Sequence, residues 1–527
     1  MSSANANART PWAEVAHWIA VAFVVTTTFL IGLGHVPLFD LDEGAFSQAT
    51  MEMVTSGDWL SISLNGEPRN DKPILIYWLQ ATAVSIFGPT EFALRLPSAL
   101  AASLWVLVIY GFARANLDGP AARAAVVIAA TSLGIVLIGR AATADALLNL
   151  FLAAALLDIY RYWQAPRTAL VLRAFLWMAL GVLTKGPIAI VIPVAVSLAF
   201  FVLSGRMHAW LRAAFHPGGW LLLALVVLPW YGVQLVRDGG VFLEAFVLEH
   251  NVGRFLEPME GHGGPWWYYL PVLAALVLPY TYLLGVAIRI GLRERRDPMV
   301  GFAALWFGFV LLFFSAASTK LPHYLLYGVT PLILVMARYR EHVARARLAL
   351  VPALVALLVF AALPGIIPRV AERANDAFLR AVLTDSAAVL DGAYLGITLA
   401  GVLAILILMG LDRLRPSRRL LLAGVVQTTV VLAAVIPAVA ALQQAPVREA
   451  ARVARAEGLD SVVMWRLNMP SFNVYLGGPS ERRAPKAGEA VLTKTKHLDD
   501  LAEVRVLHRE RGIVLAIVEA RNRPAGP

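Results

Sequence analysis

The chain has 527 residues, 59% hydrophobic and 15% charged, with no cysteine and a net charge of +10. A soluble domain is about half apolar and about a quarter charged, so this composition is that of a polytopic membrane protein. The missing thiols exclude disulfides and Cys-ligated zinc or iron–sulfur sites. The positive charge sits in particular loops and reads as a topology signal, not as a nucleic-acid footprint.

Thirteen apolar runs are long enough to span a bilayer: 16–34, 93–113, 122–139, 144–160, 170–184, 186–204, 219–236, 267–288, 299–316, 321–337, 348–366, 393–411 and 420–442. The first is too long for a signal-peptide core and is expected to remain as a transmembrane helix. Arginines recur at alternate connections, from Arg114 and Arg123 to Arg413, Arg415, Arg418 and Arg419, which places those loops in the cytoplasm. The opposite face then carries two large loops, 35–73 and 237–266, and everything after 442.

Within 35–73, Asp40, Asp42 and Glu43 precede Phe46, Ala49, Met53 and Val54 at helical spacing, and Gly57 offers a stop. This reads as an amphipathic helix lying on the membrane surface. Its acids either mark a functional site or cap the helix.

The six lysines divide evenly. Lys486, Lys494 and Lys496 lie in the tail, where no part in the site is expected of them. Lys72, Lys185 and Lys320 lie at the outer ends of spans, each followed within two residues by a proline. Lysine is a compact charge suited to phosphate, so these three read as ligands for one anion. The alternative is that each snorkels to the interface and each proline punctuates a helix. Asp145 stands at the outer start of the fourth span, where a helix N-terminus favours a carboxylate. The loop 237–266 adds Glu249, His250, Arg254, Glu257, Glu260 and His262, followed by the interfacial aromatics Trp266 to Tyr269. His250 and Arg254 share one helical face.

Residues 1–442 are therefore read as the membrane domain and 443–527 as a small soluble α/β domain outside the cytoplasm. In the latter, Val447–Leu459 is a predicted helix, 461–465, 490–495 and 512–519 are predicted strands, and a second helix is expected near 497–504. Acids, lysines and a histidine at the level of the lipid phosphates suit a transferase that uses a lipid-linked phosphosugar. A transporter places its charges nearer the bilayer midplane.

The order Asp42-Glu43, Ser56-Gly57-Asp58-Trp59, Asp71-Lys72-Pro73 with Tyr77-Trp78, Arg95-Leu96-Pro97-Ser98, Asp145, Thr184-Lys185-Gly186, Glu249-His250, Pro265 to Tyr269 and Lys320-Leu321-Pro322 with Tyr324 resembles the aminoarabinose transferase and protein O-mannosyltransferase superfamily. These are membrane glycosyltransferases of the GT-C fold class. The resemblance implies an all-α fold of about thirteen spans with a C-terminal α/β domain in the periplasm of a bacterial inner-membrane protein. It implies transfer from an undecaprenyl-phosphate-type donor to lipid A, lipopolysaccharide or another glycan, with a protein acceptor or a lipid transporter as alternatives. Asp42 matches the base, with Glu43 beside it, and Asp145 matches a second acid. Lys72, Lys185, Lys320, Tyr324 and Arg254 are the residues expected around the donor phosphate. Asp71 and His250 stand where a divalent metal ion is held in the family; no organic cofactor is implied. Asp71 replaces a glutamate, and His323 interrupts the KLPxY stretch.

Overall fold

The computed structural model describes residues 11–246, 253, 263–501 and 503–519. It is mostly helical. Chain order begins with α1 (Pro11–Phe29), α2 (Asp42–Ser56), the hairpin strands β1 (Ser63–Leu64) and β2 (Glu67–Pro68), α3 (Leu75–Phe87), α4 (Glu91–Asn116), α5 (Gly119–Thr131), α6 (Leu133–Gly139), α7 (Asp145–Gln164), α8 (Thr168–Lys185), α9 (Ile188–Leu203), α10 (Met207–Ala214) and α11 (Pro217–Asp238).

Among the described residues, eight helices are long and apolar enough to cross a membrane: α4, α7, α8, α11, Pro298–Ala316, Ala346–Arg373, Gly392–Gly410 and Pro416–Gln443. Two bent pairs bring the number to ten: α5 with α6, bent by 62°, and Tyr269–Leu276 with Thr281–Arg293, bent by 113°. The thirteen expected runs exceed this number for local reasons. Helix α1 contributes a short apolar stretch and α9 has 16 residues. The run 321–337 breaks at Pro322 into a 3-10 segment, Pro322–Gly328, and the 11-residue helix Val329–Tyr339.

Helix α2 forms where helical spacing predicts it and ends at Gly57, whose φ of 72° fits the left-handed cap. It is buried more deeply than a surface helix. Phe46, Ala49 and Met53 join the membrane core, and polar Ser47, Gln48 and Thr50 are buried as well. Glu52 then gathers the hairpin by accepting from Asn65 N at 2.7 Å and from Ser63 Oγ at 2.6 Å. Asn65 and Gly66 both have positive φ, as a two-residue hairpin turn requires.

Helices α7 and α8 run antiparallel. Asp145 at the start of α7 meets Lys185 at the end of α8, and further along Asp158 meets Arg173 at 3.0 Å. The turn at Gly186 lets α9 follow directly, and Phe246 packs against that glycine.

After the last long helix come a helix, Ala445–Ala456, and a four-stranded sheet in the order β3-β4-β6-β5. Its strands are β3 (Val462–Met464), β4 (Ala490–Lys494), β5 (Val504–Glu510) and β6 (Ile513–Val518). Strands β3 and β4 are parallel; the other pairings are antiparallel. Val447, Ala450, Ala451 and Ala454 pack on Phe472, Leu492 and Leu515. The helix expected near 497–504 is instead a 3-10 segment, Thr495–Asp500, followed by β5. The correction follows from the turn: Arg511 and Gly512, both at positive φ, fold VRVLHRE back on IVLAIV as a hairpin.

Candidate active site

Glu43 is the best-held carboxylate at the start of α2. Its oxygens face Arg95 Nε and Nη2, each at 2.8 Å, and also accept from the backbone N–H groups of Ala142 at 2.7 Å and Phe39 at 2.8 Å. Arg95, from α4, donates in addition to the carbonyls of Leu33, Val36 and Pro37. A buried bidentate pair with four bonds to the carboxylate fixes the approach to α2 and leaves the Glu43 oxygens fully engaged. Its neighbour is placed differently. Asp42 is exposed, lines a cavity, and makes no side-chain hydrogen bond or ion pair among the described residues.

That cavity holds about 1000 Å³. At one end it is polar, with Asp40, Asp42, Glu43, Asp145, His323, His35, Arg95 and Arg140. Elsewhere its wall is apolar, built from Ile31 in the turn after α1, Leu133 and Leu137 of α6, and Val431, Val435 and Val439 of the segment 429–439. An acidic mouth continuous with an apolar chamber is a shape for an amphiphile with a polar head.

On the far side of the mouth, Asp145 accepts from Lys185 Nζ at 2.5 Å and from Tyr327 Oη at 3.0 Å, with His323 Nε2 at 3.6 Å. Lys185 also donates to Tyr327 Oη at 2.8 Å and lies 5.5 Å from the centre of the Tyr324 ring. The charges of Asp145, Lys185, Asp42 and Lys72 all act on His323. The structure thus brings the first loop, the α7–α8 end and the 3-10 segment to one place. Sequence reading recorded His323 only as an interruption and singled out neither Arg140 nor the role of Arg95. The signal for both arginines was present, since each is a charge inside an otherwise apolar stretch.

Lys72 Nζ is 3.2 Å from Asp71 Oδ2, and Arg69 Nε is 2.7 Å from Asp71 Oδ1. Burial acts to raise the Asp71 carboxyl, but Lys72 and Arg69 together hold it below the usual carboxylate range. With its oxygens taken up by two cations, Asp71 as placed does not fit a dication. His250, its expected partner, and Arg254 lie outside the described residues, where no group of three or more metal-ligating side chains could be sought. None of Lys72, Lys185 and Lys320 lines the cavity itself, and Lys320 is turned away from this cluster. It is buried, and its Nζ donates to the Ala317 carbonyl at 2.6 Å, closing the end of helix Pro298–Ala316.

Asp40 faces the other way. It accepts from the backbone N–H of Ser471 at 2.9 Å and from the Ser471 hydroxyl. Burial pushes its carboxyl up to about 7, against the pull of the Ser471 bonds and with a further push from Glu43.

Residues 71–231 match the family model described as dolichyl-phosphate-mannose-protein mannosyltransferase. The undecaprenyl phosphate-alpha-4-amino-4-deoxy-L-arabinose arabinosyl transferase of Serratia proteamaculans is 33% identical over 331 residues, 61% of this chain and 59% of that protein. The enzyme of the same name from Pseudomonas aeruginosa is 33% identical over 316 residues, 58% of this chain and 56% of its own. The match therefore spans less than two thirds of the length of these curated relatives. ArnT from Cupriavidus metallidurans, in a crystal structure bound to undecaprenyl phosphate, superimposes with a TM-score of 0.81 at 19% identity, covering 98% of this chain and 100% of that one. Similar in sequence to these relatives over some three fifths of its length, the chain shares the fold of that ArnT structure almost end to end.

Proposed function

We propose that this protein transfers a sugar from a polyprenyl-phosphate carrier, of the undecaprenyl type, to a hydroxyl of lipid A, lipopolysaccharide or another glycan at the periplasmic face of a bacterial inner membrane. The observation that carries this reading is Asp42: an exposed carboxylate without a partner among the described residues, at the polar mouth of a cavity whose other end is apolar. Its neighbour Glu43 is consumed by Arg95, so the two adjacent acids divide into a base and a clamp.

In the reaction, Asp42 takes the proton of the acceptor hydroxyl as that oxygen bonds to the anomeric carbon. The bond from the anomeric carbon to the carrier's phosphate oxygen breaks, and the phosphate leaves with one more negative charge. In this reading Lys72 and Lys185 stabilise that charge; their ammonium groups are held by Asp71 and by Asp145 with Tyr327. Preorganised cations of this kind cost nothing to reorganise as the phosphate departs. The carrier's lipid occupies the apolar chamber.

The reading also places all thirteen apolar runs across the bilayer, counting α1, α9 and the Pro322–Tyr339 pair with the ten, and puts residues after 442 outside.

Asp42→Asn is the test. It removes the proton acceptor at nearly constant shape, so transfer should fall at least a hundredfold while binding of undecaprenyl phosphate is retained. A transporter of the same lipid would be unaffected by the substitution, and undiminished transfer in the purified variant overturns the assignment.

A further inference from the structure

Two cavities meet at Asp40 and Leu41: the one beside Asp42, and one of about 760 Å³ between the C-terminal sheet, the helix Ala377–Thr384 and the first loop. A separate pocket, of about 350 Å³, lies at the other end of the membrane domain, where α7 ends and α8 begins. Helices α9, α10 and α11 complete it. Its wall is hydrocarbon, with Phe175, Met178, Ile190, Val194, Phe201 and Leu223. The polar side-chain atoms on its lining are already in use. Trp210 Nε1 donates to Ser197 Oγ at 3.0 Å, Tyr162 Oη to the Ala209 carbonyl at 3.2 Å and Trp220 Nε1 to the Ala214 carbonyl at 2.8 Å. A pocket with no hydrogen bond to offer suits an apolar guest, and one of about 150 Å³ already takes benzene. Phe215 and Trp220 stand at its rim, both exposed.

The charge around this pocket is of one sign. From Ile159 to Arg237 the chain has no acidic residue. Asp158, just before, is taken by Arg161 at 2.9 Å and Arg173 at 3.0 Å. Arg167, Arg206 and Arg212 are exposed and have no acidic partner among the described residues. Arg206 lies 4.7 Å from the centre of the Trp163 ring and donates to the Trp163 carbonyl. Arg167 stands at the start of α8, three residues before Leu170 of the wall. Helix α10 is amphipathic: Trp210, Ala213 and Ala214 line the pocket, while His208 and Arg212 are exposed.

We propose that this pocket binds one anionic glycerophospholipid, with an acyl chain inside it and the phosphate among Arg167, Arg206 and Arg212. These arginines lie in loops whose charge assigns them to the cytoplasm, so the lipid belongs to the inner leaflet, on the face opposite Asp42. The site stands apart from the transferase reading. A lipid of the general bilayer belt meets apolar surface alone; here a walled pocket lies beside uncompensated positive charge, so chain and headgroup are selected together. Helices α7 and α8 form one wall, and their far ends carry Asp145 and Lys185. A bound lipid therefore braces the helix pair and stabilises the folded chain.

The test uses the purified full chain, delipidated in detergent, with phosphatidylglycerol, phosphatidylcholine of the same acyl chains and glycerol phosphate as probes. Native mass spectrometry counts the retained lipid, and thermal unfolding follows stability. One phosphatidylglycerol per chain should be retained, at least tenfold more tightly than phosphatidylcholine, and should raise the melting temperature. Glycerol phosphate should not displace it. Arg167→Glu combined with Arg212→Glu should weaken binding about tenfold or more, while Arg167→Lys with Arg212→Lys keeps it within threefold. Ala213→Phe fills the pocket and should lower retention of both lipids. Both arginines are exposed, so the charge reversals carry the test if Ala213→Phe does not fold. Undecaprenyl phosphate binding should be unchanged in every variant. Equal retention of the two lipids, unaltered binding in the charge reversals, displacement by glycerol phosphate, or a parallel loss of undecaprenyl phosphate binding overturns the proposal. None of these readouts depends on sugar transfer.

Discussion

Lys72 shows how much a single side chain is asked to do. Its ammonium is oriented by the Asp71 carboxylate and carbonyl at 3.2 and 3.1 Å, and Pro73 restricts the backbone after it. Loss of one preorganised electrostatic group costs on the order of 3 kcal/mol, about a hundredfold in rate. Lys72→Ala should therefore reduce transfer by that factor in a purified assay with saturating donor, and transfer at the wild-type rate would refute this placement of the phosphate. At this scale much of the site was legible, because an ionisable group beside a bilayer is conspicuous in an apolar chain. The roles were less so. Asp42 and Glu43 are adjacent and of one type, and only folding shows that one faces a cavity and the other faces Arg95. Lys320 passed the same sequence test as Lys185, yet its ammonium turns back on its own helix end.

At the level of elements, α4 anchors the whole first loop through Arg95, which joins Glu43 to three carbonyls of residues 33–37. Arg95→Leu leaves the Glu43 carboxylate buried and unpaired, a loss of about 3–5 kcal/mol. The variant should melt well below wild type in detergent; an unchanged melting temperature would show that the pair is dispensable. Elements with strong periodicity, such as α2 and the long apolar helices, could be read from the sequence. Strand β5 could not be read from its own alternation, since a bulge between Val506 and His508 switches the face on which its side chains fall. Its identity is settled by the Arg511–Gly512 turn and by pairing with β6, a contact between segments. The break at Pro322 was visible, but its consequence, a 3-10 segment that aims His323 at Asp145, depends on α7 and α8.

For the whole molecule, the join between the first loop and the C-terminal unit runs through one short helix, Pro470–Leu476. Ser471 binds Asp40, Asn473 binds Asn65 at 2.6 Å, and the Tyr475 hydroxyl accepts from Leu38 N at 2.7 Å. The Asp40 carboxyl, raised to about 7 from an ordinary 3.8, binds its proton more tightly in the folded protein. The folded state is therefore favoured by protonation, and stability falls as pH rises from about 4 to about 7. Melting temperature should drop across that window in wild type and drop less in Asp40→Asn, which removes the titration; parallel curves would exclude Asp40 as the source. No sequence pattern announces this join, because residues 431 positions apart create it.

Apart from Asp40 and Leu41, the two cavities draw their walls from separate stretches of the chain. One uses residues 27–145, 323, 360 and 429–439; the other uses 378–382 and 442–513. The two cavities are therefore inherited on different lengths of coding sequence. Drift in the last third can then remodel one cavity while the walls of the one beside Asp42 are left largely as they were. A lineage built on this plan can vary one chamber without first giving up the other.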